Sequence, residues 1–159
     1  MTYIGNGIGK GRTYLAPCGH ELLRPTSAIR YGHWSCQECN SSYLDRPNKL
    51  YLYKITSNCG FQFIKLGYSV NPEYRKYDYC VALGTIFDLV KTVSVPTGRI
   101  AIKIENALHK KYDAYNLDSK LMKNYLKLSG HTECYPVSIL DYILRDLREI
   151  EEMENYIGK

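Results

Sequence analysis

Tyr51-Leu52-Tyr53-Lys54-Ile55-Thr56-Ser57-Asn58-Cys59-Gly60-Phe61-Gln62-Phe63-Ile64-Lys65-Leu66-Gly67-Tyr68-Ser69 is the stretch on which the fold turns. Tyr51 to Ile55 mixes aromatic and β-branched residues with Leu52, the composition of a strand against a core. Ser57-Asn58-Cys59-Gly60 is a hairpin turn signal, and Phe61 to Leu66 is the returning strand. Asn71-Pro72-Glu73 then reads as a helix start, with Asn as cap, Pro in the first turn and an acid at the positive end. That helix is predicted to run to about Leu83 and stop at Gly84. Ile86 to Val95 reads as a third strand closed by Pro96. From Thr97 to about Tyr115 the period becomes helical, with Ala101, Ile104, Leu108 and Tyr112 on one stripe. Lys120 to Lys127 has no decisive period, and Val137 to about Tyr156 is an amphipathic helix whose acidic outer face suits a supporting role. The expected class is α+β: a small three-stranded, mainly antiparallel sheet flanked by helices.

Upstream, Gly5, Gly7, Gly9 and Gly11 make residues 1–17 an expected irregular lead-in. No strand precedes these glycines and no Gly-Lys-Ser/Thr follows them, so they do not form a phosphate loop. Cys18-x-His20, fifteen residues, then Cys36-x-x-Cys39 supplies four soft donors in two close pairs. Zn²⁺ takes four such sulfur and nitrogen ligands in a tetrahedron, and a site closed by four protein ligands is structural. His33 is an alternative to His20 as the fourth ligand. The polar, turn-rich stretch from Asn40 to Asn48 reads as a boundary, giving a zinc-finger-like module over 1–46 and a second domain over 47–159.

The 159 residues carry a net charge of +5, distributed unevenly. Residues 136–159 hold 3 basic against 6 acidic side chains, and the remainder 18 against 10. The basic remainder suits a polyanionic partner. No apolar run approaches the roughly 18 residues of a membrane span. Nothing near Met1 resembles the apolar core of a signal peptide, so the cytoplasm is the expected compartment. Six cysteines in that compartment point to metal binding or burial, not to a disulfide framework. A thiol enzyme built on Cys59, Cys80 or Cys134 is disfavoured, because no Cys–His pairing accompanies them.

Residues 51–135 resemble the GIY-YIG nuclease family. Tyr51-Leu52-Tyr53-Lys54-Ile55 stands where the family has Gly-Ile-Tyr-x-Ile, and Lys65-Leu66-Gly67-Tyr68-Ser69 stands where it has Tyr-Ile-Gly-x-Ser. Arg75 follows Lys65 by ten residues, Tyr79 lies one helical turn further, and Glu105 matches the metal-binding glutamate of a later helix. Gly130-His131-Thr132-Glu133-Cys134-Tyr135 resembles the Gly-x-x-Glu-Trp-Phe ending of one branch. Lys65 departs from the family tyrosine and resembles a Lys-Ile-Gly branch. The cysteine-rich segment resembles treble-clef-like zinc modules that accompany phage and homing-type nucleases.

The resemblance implies a metal-dependent endonuclease hydrolysing DNA phosphodiester bonds. Tyr53 would take the proton of the attacking water, its phenolate favoured by Lys65, Arg75 and a metal. Glu105 would hold one Mg²⁺ or Mn²⁺, Arg75 would stabilise developing charge, and Tyr79 with Lys65 would orient water or phosphate. Gly67 and His109 are expected beside the substrate, His109 sharing a helix face with Glu105 four residues earlier. Glu133 is expected to brace the site. Arg24, Arg30 and Arg46, with Tyr31 and Trp34, would place the zinc module on DNA. A monomer, or a transient dimer on DNA, is the expected working state. Two other readings share the scaffold: a catalytically weak or inactive, zinc-assisted DNA-binding regulator, and an RNA-directed nuclease.

Overall fold

Along a strand successive side chains point to opposite faces, and the run from Leu50 to Ile55 uses this to build two cores at once. Leu50 and Leu52 enter one buried cluster with Ile64, Leu66, Val93 and Val95. Tyr51, Tyr53 and Ile55 enter the other with Phe63, Tyr79, Met122, Leu126 and Cys134. A sheet covered on both faces needs this continuous apolar run instead of a polar alternation.

The computed structural model describes residues 2–6, 12–16, 18–30, 35–36, 42–79, 84–126 and 131–157. The chain divides into two compact units, Met1–Arg46 and Pro47–Lys159. Both are antiparallel, and the class is α+β.

In the second unit, strands β4 (Asn48–Thr56) and β5 (Gln62–Ser69) form the hairpin around Gly60, whose φ of 83° is the left-handed turn position. Helix α2 (Pro72–Tyr79) follows, then strand β6 (Ile86–Val95) on the far side of β4. Helix α3 (Gly98–Lys111) is capped by Thr97, whose side-chain oxygen accepts from the Ile100 amide at 3.3 Å. A short helix α4 (Ser119–Met122) overlaps the start of the stretch of undecided period. The C-terminal segment opens with a tight turn, Val137–Ile139, and continues as α5 (Leu140–Ile157).

Two expectations are corrected. The sheet has four strands, not three, in the order β6-β4-β5-β7. The addition is β7 (Cys134–Pro136), a three-residue strand with a proline, too short to declare itself by pattern. It pairs Lys65 with Cys134 across sixty-nine positions of sequence. The lead-in is also more regular than its glycines imply. β1 (Thr2–Asn6), β2 (Arg12–Leu15) and β3 (Glu21–Arg24) form a three-stranded antiparallel sheet followed by helix α1 (Thr26–Arg30). The continuation of α2 from Cys80 to Leu83 lies outside the described residues.

Helix α3 is locked to α5 through Asp146, which is buried and accepts from Lys111 Nζ at 2.6 Å and from Tyr112 Oη at 2.8 Å. A buried carboxylate is tolerated only with such partners. No helix among the described residues is long and apolar enough to cross a membrane.

Ile64 is fully buried beneath α3 and α5 in the first cluster. Ile64→Ala is expected to lower unfolding stability by about 2–5 kcal/mol, read from the shift of the denaturant midpoint.

Candidate active site and metal centres

Residues facing one another across β4 and β5 share a face, and the register sets Tyr51 against Gly67 and Tyr53 against Lys65. A Cβ built on Gly67 would stand 2.5 Å from Cζ of Tyr51. The glycine is therefore required by space, because the Tyr51 ring occupies the volume over its backbone. Tyr51 Oη is thereby directed to Tyr79 Oη at 2.7 Å. Arg75, one turn before Tyr79 on α2, donates from Nε to the same Tyr79 oxygen at 2.9 Å. The Arg75 guanidinium carbon lies 5.1 Å from the Tyr79 ring centre and Lys65 Nζ lies 5.0 Å from it, both within cation–π range. Four side chains from three elements thus converge: Tyr51, Lys65, Arg75 and Tyr79.

Lys65 is buried and makes a 3.0 Å ion pair with Glu133, which β7 delivers to its side. Burial alone would lower the Lys65 pKa, but the charges of Tyr79, Glu133 and Cys134 outweigh it and hold the value above that of an ordinary lysine. Burial pushes the Cys134 thiol up to about 11, opposed by Lys65 and reinforced by Glu133.

Tyr53 links two elements of the unit. Its hydroxyl is buried and donates to the Pro72 carbonyl at the start of α2, a contact that ties β4 to that helix. The surroundings of the ring oppose its ionisation. Burial raises the Tyr53 pKa well above 10, assisted by Glu73 and Tyr79. Burial likewise raises Tyr51, with the Tyr79 and Glu105 charges acting in the same sense and only Arg75 opposing them. Loss of water is the largest cause at both phenols and favours the protonated form. Tyr51 is the residue that sequence reasoning missed. Its sign was the glycine at 67, which needs a large cross-strand partner to explain it.

Glu105 is buried on α3, between Ala101 and Leu108 on the inward stripe. Glu105, His109 and Glu133 each place one donor atom within 4.8 Å of the others. His109 Nδ1 is 2.5 Å from Tyr135 Oη, while its Nε2 is 3.7 Å from Glu105 Oε1. His109 and Glu133 also line an open cleft of about 660 Å³ with Lys110, Asn116 and Thr132. On α2, Tyr74 and Tyr77 are exposed with ring centres 6.3 Å apart, on the same short helix as Arg75.

In the first unit, Cys18, His20 and Cys36 bring one donor each within 4.8 Å of one another, with Cys36 Sγ 3.5 Å from His20 Nδ1. Gly19 has φ 84°, and the turn it makes, with its amide bonded to the Ala16 carbonyl, sets Cys18 and His20 on one side. Three mutually close soft donors suit Zn²⁺. Cys39 and His33 lie outside the described residues. Arg24, expected on DNA, uses its guanidinium within the unit. It donates to the carbonyls of Leu23 and Ser35 at 3.0 Å each, which steadies the chain just before Cys36. The Arg30 side chain lies outside the described residues.

Comparison of the chain with protein-family models, with curated proteins and with solved structures finds no match.

Two outcomes follow from this geometry. Purified protein is expected to carry one zinc per chain by elemental analysis, and Cys36→Ser to lose it; a Cys36→Ser protein that retains full zinc would overturn the assignment. Tyr51, Tyr53, Tyr112 and Tyr135 all have pKa values raised first by burial from the usual 10.0. The unfolded chain releases these protons near pH 10 and the folded chain does not. The stability they confer is therefore complete below about pH 10 and declines as pH rises above it, measurable by denaturant titration across that range.

Proposed function

We propose that the 47–159 unit is a metal-dependent endonuclease of the GIY-YIG type that hydrolyses DNA phosphodiester bonds. The observation that carries this reading is the hydrogen-bonded group Tyr51–Tyr79–Arg75, in the same unit as the buried Glu105. Phosphodiester hydrolysis needs a proton acceptor for water, a cation against the phosphate and a metal near the leaving oxygen. Arg75 supplies the cation, the Tyr51 and Tyr79 hydroxyls would position the water, and Glu105 is the carboxylate for the metal.

The phenols divide the work by their surroundings. Tyr51 keeps its proton and is able to donate it toward Tyr79, while Arg75 donates to the same oxygen. Lys65 stands over the Tyr79 ring. Tyr79, with Arg75 on its oxygen and Lys65 over its ring, would orient the attacking water or the phosphate. Tyr53 keeps the start of α2 in place. Arg75, half-exposed beside the exposed Tyr74 and Tyr77, offers one cation and two stacking faces to a nucleic-acid strand. A Mg²⁺ or Mn²⁺ bound at Glu105 would supply Lewis acidity toward the phosphate. The Cys18, His20 and Cys36 donors would hold a structural Zn²⁺ in the first unit.

A second reading has its own support. Lys65 is closed onto Glu133 and burial holds the Tyr51 phenol neutral, which suits a DNA-binding regulator that has lost catalysis.

Incubating the protein with plasmid DNA and Mg²⁺ or Mn²⁺, in parallel with RNA, separates these readings. Metal-dependent nicking of DNA is expected, with Glu105→Ala and Arg75→Ala each reducing the rate by about 10²-fold or more. Tyr79→Phe is expected to lose about 10²-fold and Tyr53→Phe less than about tenfold. Binding without cutting would favour the regulator, cleavage confined to RNA would change the substrate, and undiminished cutting by Glu105→Ala would reject the site.

A further inference from the structure

Glu105 is not alone. His109 lies one turn later on the same face of α3, and Glu133 immediately precedes β7. The His109 Nε2 atom is buried and has no hydrogen-bond partner among the described residues. A buried nitrogen without a partner is costly and calls for an explanation.

The environment of the ring defines which nitrogen is free to bind. An Nδ1–H of His109 is able to donate to the Tyr135 oxygen at 2.5 Å, leaving the lone pair on Nε2. Metal-bound histidines have this arrangement, with one nitrogen on the ion and the other anchored to an oxygen. The spacing has the same character. The 3.7 Å from Nε2 to Glu105 Oε1 is too long for a hydrogen bond. Metal–ligand bonds of about 2.1 Å separate two ligands of one ion by about 3.0 Å at a right angle and about 4.2 Å when opposite. The observed separation falls inside that range, and a slight side-chain adjustment brings the third donor in. Lys65 takes one oxygen of Glu133 at 3.0 Å, which orients a carboxylate able to accept at both oxygens. The cleft beside His109 and Glu133 provides an entry path.

We propose that Glu105, His109 and Glu133 form one mixed nitrogen–oxygen site for a divalent transition ion, with Mn²⁺ preferred over Mg²⁺. Mg²⁺ takes oxygen ligands and retains its waters, whereas an imidazole nitrogen selects for the transition series. This deepens the reading of Glu105 as the metal carboxylate and rests on it for the site's catalytic meaning, though not for its ability to bind. Glu105 and Glu133 would be direct ligands, and Lys65 a positioning residue acting through Glu133.

The test is Mn²⁺ binding to the full, zinc-loaded chain, followed by electron paramagnetic resonance with spin-echo detection of ¹⁴N coupling. One Mn²⁺ per chain with a directly bound nitrogen is expected, displaced only by at least about tenfold higher Mg²⁺. His109→Gln, checked for folding by circular dichroism, is expected to lose the nitrogen coupling and to bind about tenfold or more weakly. Glu133→Gln is expected to weaken binding with the nitrogen coupling retained. Wild-type Mn²⁺ without nitrogen coupling, no Mn²⁺ binding, or unchanged affinity in folded His109→Gln would each overturn the site, the first two without any variant. Nitrogen-coupled Mn²⁺ in a protein that cuts no nucleic acid supports this site and rejects the nuclease. Glu105-dependent cutting without nitrogen coupling does the reverse.

Discussion

The ring of Tyr51 occupies the space that any side chain at position 67 would need. That exclusion couples two neighbouring strands more specifically than their backbone hydrogen bonds do. With a methyl group at 67 the ring would have to tilt away, and its hydroxyl would leave the 2.7 Å contact with Tyr79. Arg75 meets the same Tyr79 oxygen, so the direction of one ring on β4 influences what α2 presents. Core packing supports the arrangement: Tyr51, Tyr53 and Tyr79 belong to one buried cluster, and close-packed interiors resist displacement.

Burial and charge compete throughout the second unit, and the outcome depends on geometry. Lys65 is buried yet favoured as a cation, because Glu133 stands at 3.0 Å and Tyr79 and Cys134 add to the effect. Asp146 is buried yet satisfied by Lys111 and Tyr112. Tyr51 and Tyr53 have weaker compensation and remain neutral. An ionisable group in a low-dielectric interior keeps its charge only where partners replace the water it has lost. The first unit meets a different limit. Its buried cluster contains Ala16, Leu22 and Cys36 with Ile29 against it, a small core that a metal cross-link would strengthen.

Much of the second unit was legible in its sequence, because its signals are local. The β4–β5 hairpin, the start of α2 at Pro72, the strand Ile86–Val95, the helical period from Thr97 and the long α5 each follow from turn chemistry or period within a dozen residues. The i,i+4 pairs Arg75–Tyr79 and Glu105–His109 were visible for the same reason. β1 and β2 were hidden behind glycine spacing that resembles a loop, and β7 behind its length of three residues and its proline. The choice between Tyr51 and Tyr53 was equally hidden. Both project from the same face of one strand, and only the cross-strand register distinguishes them.

What the sequence determined by itself was therefore the local content: which segments extend, which coil, where chemistry-bearing side chains recur at helical spacing, and a cysteine–histidine pattern fit for metal. Tertiary structure decided which of those side chains meet. It brought Glu133 to Lys65 and to the Glu105–His109 pair, gave the Tyr53 hydroxyl to Pro72, and set Tyr51 against Tyr79. The physical reason is that propensity and period act over a few residues, while burial, register and the loss of water act between elements far apart in the chain.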